Sequence, residues 1–215
     1  LLQGVFPMKK SIITIERQYG SGGSVIGRIA AEKLGINCYN RQILEMTAER
    51  CGISSDYLES AEENVPTSFL YSLLLSANPG RTMEDNLPLS DKVFLMESRI
   101  INEIAEKEKS FVLVGRCGRY ILEDKGCFSV YIYADPKERM RRAVEDYNIP
   151  ANKAESIMKK ADRRRETFYN VNTGGIWQDK DQYALCLNSA VLGDELCAEI
   201  IVKAYNDYNA KFAKK

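Results

Sequence analysis

The sequence predicts an α/β fold, a parallel sheet covered by helices on both faces, and three observations predict it. Apolar, β-branched runs at 11–16 (SIITIE), 110–115 (SFVLVG) and 127–134 (CFSVYIYA) have the density of strands buried from both sides. Segments with helical apolar spacing separate them, the alternation that parallel sheets need. The residues richest in chemistry, Arg17 to Ser24, Arg116, Asp135 and Asn188-Ser189, follow strands directly, and such sheets bind ligands at those strand ends.

The 215 residues, 45% of them apolar, suffice for one large domain, read as 8–215. Residues 1–7 stand before Met8-Lys9-Lys10, which reads as a natural beginning, and are taken as a vector-derived remnant. After the first strand, SVIGRIAAEKLG (24–35) sets Val25, Ile26, Ile29, Ala30 and Leu34 at helical spacing, with Gly35 as the stop. INCYN (36–40) is a short second strand, and RQILEMTAERCG (41–52) a second helix closed by Gly52. Residues 54–90 hold three prolines and a turn at Asn78-Pro79-Gly80, and are expected to form an excursion, part helix and part loop. Ser90 is expected to cap an amphipathic helix that runs to Lys107. Asp135-Pro136 ends the strand at 127–134 and opens a helix carrying Arg139, Arg141 and Arg142, with Asp135 as its cap. A second basic helix follows Pro150, ALCLNS (184–189) is the last strand, and VLGDELCAEIIVKAYNDYN is the closing helix.

Composition excludes several classes. Lys+Arg and Asp+Glu balance at 30 each, whereas a dedicated nucleic-acid binder carries a basic excess, so no nucleic-acid partner is expected. The absence of histidine removes the commonest general base and metal ligand. Six cysteines, with no Cys-x-x-Cys pair, read as reduced core thiols of a cytoplasmic protein. No apolar run reaches a membrane span, SFLYSLLLSA (68–77) being too short, and no secretory signal is visible.

The stretch ITIERQYGSGGSVIG (13–27) runs from strand to helix through Gly20, Gly22 and Gly23. Glycine permits positive φ and lets backbone N–H groups converge on an anion, and the following helix aims its positive end at the same point. Gly20, Ser21, Gly22, Gly23, Ser24 and Val25 are therefore the candidate phosphate cradle. Against the common phosphate-loop pattern Gly-x-x-x-x-Gly-Lys-Ser/Thr, the chain keeps Gly22 and Ser24, has Arg17 in place of the first glycine, and has Gly23 in place of the lysine. Ser24 is the best magnesium-facing hydroxyl, although a helix cap uses the same residue type.

In this form the stretch resembles the cytidylate kinase-like family, a branch of the P-loop nucleoside monophosphate kinases. Similar segments continue at KLGINCYNRQIL, FVLVGRCGRYIL, VYIYADPKERMRR and KADRRRETFYNVNTGGIWQDKDQYALCLNSAVLG, so the resemblance covers 11–205. It implies a P-loop NTPase-type sheet with a helical lid at 137–169 and a monophosphate-binding excursion at 54–90. It also implies ATP as phosphoryl donor, magnesium, and a nucleoside monophosphate acceptor, CMP or dCMP first. Arg41 and Arg116 resemble the residues that hold the acceptor phosphate. Asn40 and Cys117 depart from the family's pattern, where aspartates stand.

Phosphoryl transfer is mostly positioning and charge stabilisation, and planar arginine forks suit it. The candidate catalytic charges are Arg17, at the loop's entrance, and Arg163, Arg164 and Arg165, on the expected lid. Asp162 either orients a neighbouring arginine, contacts the acceptor base, or is a solvated helix residue. Trp177 is read as packing. Two functions fit: a monophosphate kinase, favoured by the arginines, and a catalytically weak nucleotide-binding or sensing protein, favoured by the missing lysine. A homodimer is a further partner left open.

Overall fold

The computed structural model describes residues 11–52, 54 and 89–213, so nearly all of the expected excursion at 54–90 lies outside the described residues. The central strand β1 (Ser11–Arg17) lies between β3 (Ser110–Val114) and β4 (Cys127–Tyr133). Strand β2 (Asn37–Tyr39) flanks β3 and β5 (Leu185–Asn188) flanks β4, giving the order β2-β3-β1-β4-β5, all parallel. The predicted α/β sheet is thus observed, with β1 at its centre.

The register explains the apolar runs. Ile13 and Ile15 sit beside Val112 and Val114 on one side and Phe128 and Val130 on the other. These side chains meet α1 (Gly23–Leu34) and α7 (Ser189–Ala213) through Ile26, Ala30, Cys197, Ala198, Ile201 and Tyr205. On the opposite face Ile12, Phe111 and Leu113 pack on Ile43 of α2 (Arg41–Cys51) and on Ile100, Ile101 and Ile104 of α3 (Leu89–Lys107). Each buried aliphatic side chain contributes roughly 1.5–3 kcal/mol, so both layers are needed to hold the sheet. A third cluster joins Tyr131 of β4 to Cys117, Tyr169, Trp177 and Tyr183, and Trp177 is fully buried, as packing requires.

After β3 comes the one-turn helix α4 (Gly118–Ile121); after β4 come α5 (Pro136–Glu145) and α6 (Ala151–Thr173). Asp135 caps α5 by accepting the Lys137 N–H at 2.8 Å, as predicted from Asp-Pro. Gly35 and Gly52 close α1 and α2, also as predicted. Two cap expectations are corrected. The residue that precedes α1 is Gly22, in the left-handed region at φ 74°, so Ser24 lies inside the first turn and is no cap. Ser90 lies within α3, which already includes Leu89.

Candidate active site

The loop between β1 and α1 lies at the carboxyl end of the sheet. Gly20 and Gly22 take φ of 75° and 74°, the left-handed conformation that turns the chain back over the start of α1. The N–H groups of Gly23, Ser24 and Val25 open that helix and have no intrahelical carbonyl to bond, so they are donors for an anion. Neighbouring elements set the loop's shape. Gln18 donates its N–H to the Ile132 carbonyl at 3.0 Å and accepts the Ala134 N–H on its side chain at 3.3 Å. The Ser21 hydroxyl donates to the Gln18 carbonyl at 2.8 Å, and the buried Ser189 hydroxyl donates to the Ser21 carbonyl at 2.7 Å.

The helix pair α5–α6 grips the same loop. Asp162 accepts the Tyr19 N–H at 2.7 Å and pairs with Arg139, whose Nε donates to the Tyr19 carbonyl at 2.7 Å. Arg142 forms two bonds to Asp194, at 3.0 and 2.8 Å, and a third to Glu138 at 3.0 Å. That ion pair stands directly over Gly22, where any Cβ would strike the Arg142 guanidinium and approach Asp194 Oδ1 to 2.7 Å. Arg165 donates to the Arg17 carbonyl at 3.0 Å and lies 5.7 Å from the centre of the Tyr19 ring. Arg139 and Arg142 are only 6% and 8% exposed, so both point into the fold and not to solvent.

Three adjacent strands, β2, β3 and β1, each lead into an arginine: Arg41, Arg116 and Arg17. Gly115, Arg116 and Cys117 follow β3 with φ of 77°, 59° and 53°, two of them strained for side-chain-bearing residues. This turn carries Arg116 to Glu97, a fully buried carboxylate on α3 that accepts its Nη1 at 2.7 Å. Glu16, buried on the opposite face of β1 from Arg17, accepts the Trp177 indole N–H at 3.1 Å. Burial pushes the Glu16 carboxyl up from its ordinary value, against the opposing pull of Arg17, Arg165 and Arg116 and the Trp177 bond.

The predicted site residues are therefore sorted by their places. Gly20 to Val25 line the loop, with Arg17 and Arg165 beside it. Arg116 faces the same strand ends from β3. Asp162 holds Tyr19 and Arg139. Arg41 lies on the surface with Glu45 at 3.5 Å. Arg163 projects to solvent and Arg164 is half-buried beside it, so the three successive arginines of α6 face three directions. Cys117 is buried among Tyr131 and Trp177, and desolvation raises its thiol far above the ordinary range. Cys38 and Cys197 are pushed up to about 11 by burial, so both remain neutral thiols at physiological pH. The sequence reading missed Glu97 and Asp194, which no local spacing marks, whereas Ser189, singled out as a strand-end residue, bonds the loop at Ser21.

Among the described residues no group of three metal-ligating side chains occurs. The Ser24 hydroxyl lies in the first turn of α1 without serving as its cap. A single protein oxygen suits magnesium, which takes few protein ligands and completes its shell with phosphates and water. No helix among the described residues is long and apolar enough to cross a membrane.

A central β1, a glycine loop and a helix aimed at the loop define a P-loop kinase-type fold. The model of the cytidylate kinase-like family matches residues 12–191, and the chain belongs to that family. The chain is 26% identical over 209 residues to a cytidylate kinase from Archaeoglobus fulgidus, covering 94% of this chain and 99% of that one. An uncharacterised protein from Eubacterium ventriosum has the same fold at TM-score 0.68 and 23% identity, covering 91% and 98%. A shikimate kinase from Acinetobacter baumannii, solved with shikimate, follows at TM-score 0.52 and 14% identity, covering 94% and 96%.

Proposed function

We propose that the protein is a nucleoside monophosphate kinase that moves the γ-phosphoryl group of ATP onto a pyrimidine monophosphate, CMP or dCMP. The observation that supports this most is the juxtaposition of an anion-binding glycine loop with arginines at the neighbouring strand ends. One element suits a triphosphate and the other suits an acceptor phosphate. The residues around the loop divide the work. The N–H groups of Gly23, Ser24 and Val25 hold the donor phosphates, and the Ser24 hydroxyl would hold magnesium, which supplies charge neutralisation when bound. Arg116 takes the acceptor phosphate, with Arg41 further along the same edge. Asp162 and Arg139 fix Tyr19 and so hold the loop open to the donor.

In the transfer, an acceptor phosphate oxygen forms a bond to the γ-phosphorus. The bond from that phosphorus to the β–γ bridging oxygen breaks, its electron pair leaving on ADP. A dianionic monophosphate and ATP⁴⁻ give a nucleoside diphosphate and ADP with charge conserved, so no proton need be removed and no histidine is missed. A coupled assay with ATP, magnesium and a panel of monophosphates tests this. CMP or dCMP is expected to give the highest kcat/KM. Turnover with no monophosphate, alongside retained ATP binding, favours the nucleotide-binding or sensing function instead.

A further inference from the structure

We infer that positions 17 and 23 have exchanged roles. Arg17 supplies the cation that the common phosphate loop takes from a lysine at position 23, and Gly23 is a glycine in order to admit it. This rests on the kinase reading for the nature of the ligand, but its geometry does not.

Gly20 and Gly22 need glycine for their positive φ, whereas Gly23 does not: it has ordinary helical backbone as the first residue of α1. A side chain there is excluded by something else. A Cβ on Gly23 would lie 2.5 Å from Arg17 Cβ and 2.9 Å from Arg17 Cγ. The stem of Arg17 therefore fills the space in which a lysine at 23 would begin. The other end of the same side chain reaches Gly115, whose φ of 77° requires glycine in any case. A Cβ on Gly115 would overlap Arg17 Nη1 and approach Arg17 Cζ to 3.0 Å. Arg17 thus starts over the first turn of α1 and ends at the turn after β3, one residue from Arg116. Its guanidinium lies against Gly115, the residue before Arg116, while its stem lies against the loop at Gly23. Arg165 fixes the Arg17 backbone through its carbonyl. A lysine at 23 would present a point charge, while Arg17 presents a fork that can bond two oxygens of the transferred group.

The exchange predicts reciprocal rescue. Arg17→Ala is expected to lower turnover by about 10²-fold or more, the scale of one lost transition-state donor. Gly23→Lys alone is expected to be as damaging, because the two stems collide. The double variant Arg17→Gly with Gly23→Lys restores the common pattern and is expected to regain most of the lost rate. Two readouts need no acceptor. Gly23→Ala is expected to lower the unfolding midpoint in the wild-type background and not in Arg17→Gly. Trapping of ADP with magnesium and aluminium fluoride, which mimics the transferred group, is expected to weaken by about 10²-fold in Arg17→Ala while ADP binding alone changes little. A protein that traps ADP this way but phosphorylates no monophosphate refutes the kinase reading alone, and the Arg17 result still stands. Wild-type trapping in Arg17→Ala, no trapping in the wild type, or a double variant no better than Arg17→Gly, would overturn the exchange.

Discussion

Arg17 and Arg116 stand at the carboxyl ends of strands, whereas Arg139, Arg142 and Arg165 project from the helix pair α5–α6, and the two groups are held differently. Each helix arginine is bonded to the protein around the loop: Arg139 to Asp162 and Tyr19, Arg142 to Asp194 and Glu138, Arg165 to the Arg17 carbonyl. Two of the three are neutralised by a carboxylate. Arg116 also meets a carboxylate, Glu97, but from a strained turn that leaves its side chain 20% exposed at the strand ends. An arginine that is buried with an aspartate works as a strut, and the proposed ligand contacts fall to the arginines at the strand ends. In the helix pair, charge serves chiefly to fix the glycine loop.

The largest effect that would break this comparison is catalytic. Arg116→Ala is expected to lower kcat/KM for the acceptor by about 10²-fold or more, the scale of a lost charged donor. Arg163→Ala, on the solvent side of α6, is expected to change it little. Steady-state kinetics with the acceptor varied measures both, and similar losses in the two variants would erase the distinction between strand-end and helix arginines.

The fold was largely legible because burial on both faces writes a continuous apolar run into each inner strand. SIITIE, FVLV and FSVYI read as inner strands, and the glycines of 20–23 mark the junction where the backbone turns from β1 back over the start of α1. The partners of the arginines were not legible. Tyr19 and Asp162 are 143 residues apart, and Arg142 and Asp194 are 52 apart, so no local spacing announces either pair. DRRR at 162–165 reads as one basic cluster, yet the helical rotation of about 100° per residue sends Asp162 and Arg165 to the loop and Arg163 to water. Glu16 ends an apolar strand and reads as its polar exit, whereas the fold buries it under Trp177, 161 residues away.

A stability measurement sharpens the same contrast. Asp162→Ala removes the acceptor of the Tyr19 N–H and leaves Arg139 without its carboxylate in a nearly buried place. The expected loss is about 2–3 kcal/mol in denaturant unfolding, below the range for a fully buried pair because Asp162 is partly exposed. Arg163→Ala is expected to lie within about 0.5 kcal/mol of the wild type, as for an ordinary surface change.

Glu16 provides a test by pH. Its carboxyl is raised chiefly by burial, so the folded protein holds a proton in a range above 4.5 where the unfolded chain has released it. Stability from this group is complete below 4.5 and is lost as pH rises through the raised value. Glu16→Gln keeps an oxygen for the Trp177 indole and cannot ionise. The variant's unfolding midpoint is expected to gain on the wild type as pH rises and to match it near pH 4. A gain that grows toward low pH would show that Arg17, Arg116 and Arg165 outweigh desolvation.

The smallest effect concerns the helix that carries Arg139 and Arg142. Asp135 accepts the Lys137 N–H, and Pro136 stands next as the residue whose missing N–H asks for no partner. Asp135→Ala removes the cap and is expected to cost about 1 kcal/mol, the usual value for losing such an acceptor. Asp135→Asn keeps a side-chain oxygen and should recover most of that loss. The kinetic result matters more than the size of the shift. If the arginines of α5 are struts, their bonds to Asp162 and Asp194 hold the helix start in place after the cap is gone, and kcat stays near the wild-type value in both variants. A fall in kcat of tenfold or more for Asp135→Ala, with Asp135→Asn unaffected, would mean that α5 must be held to within a fraction of a turn for transfer. The helix arginines would then belong with Arg17 and Arg116 in the chemistry itself, a tenfold change corresponding to about 1.4 kcal/mol in the barrier.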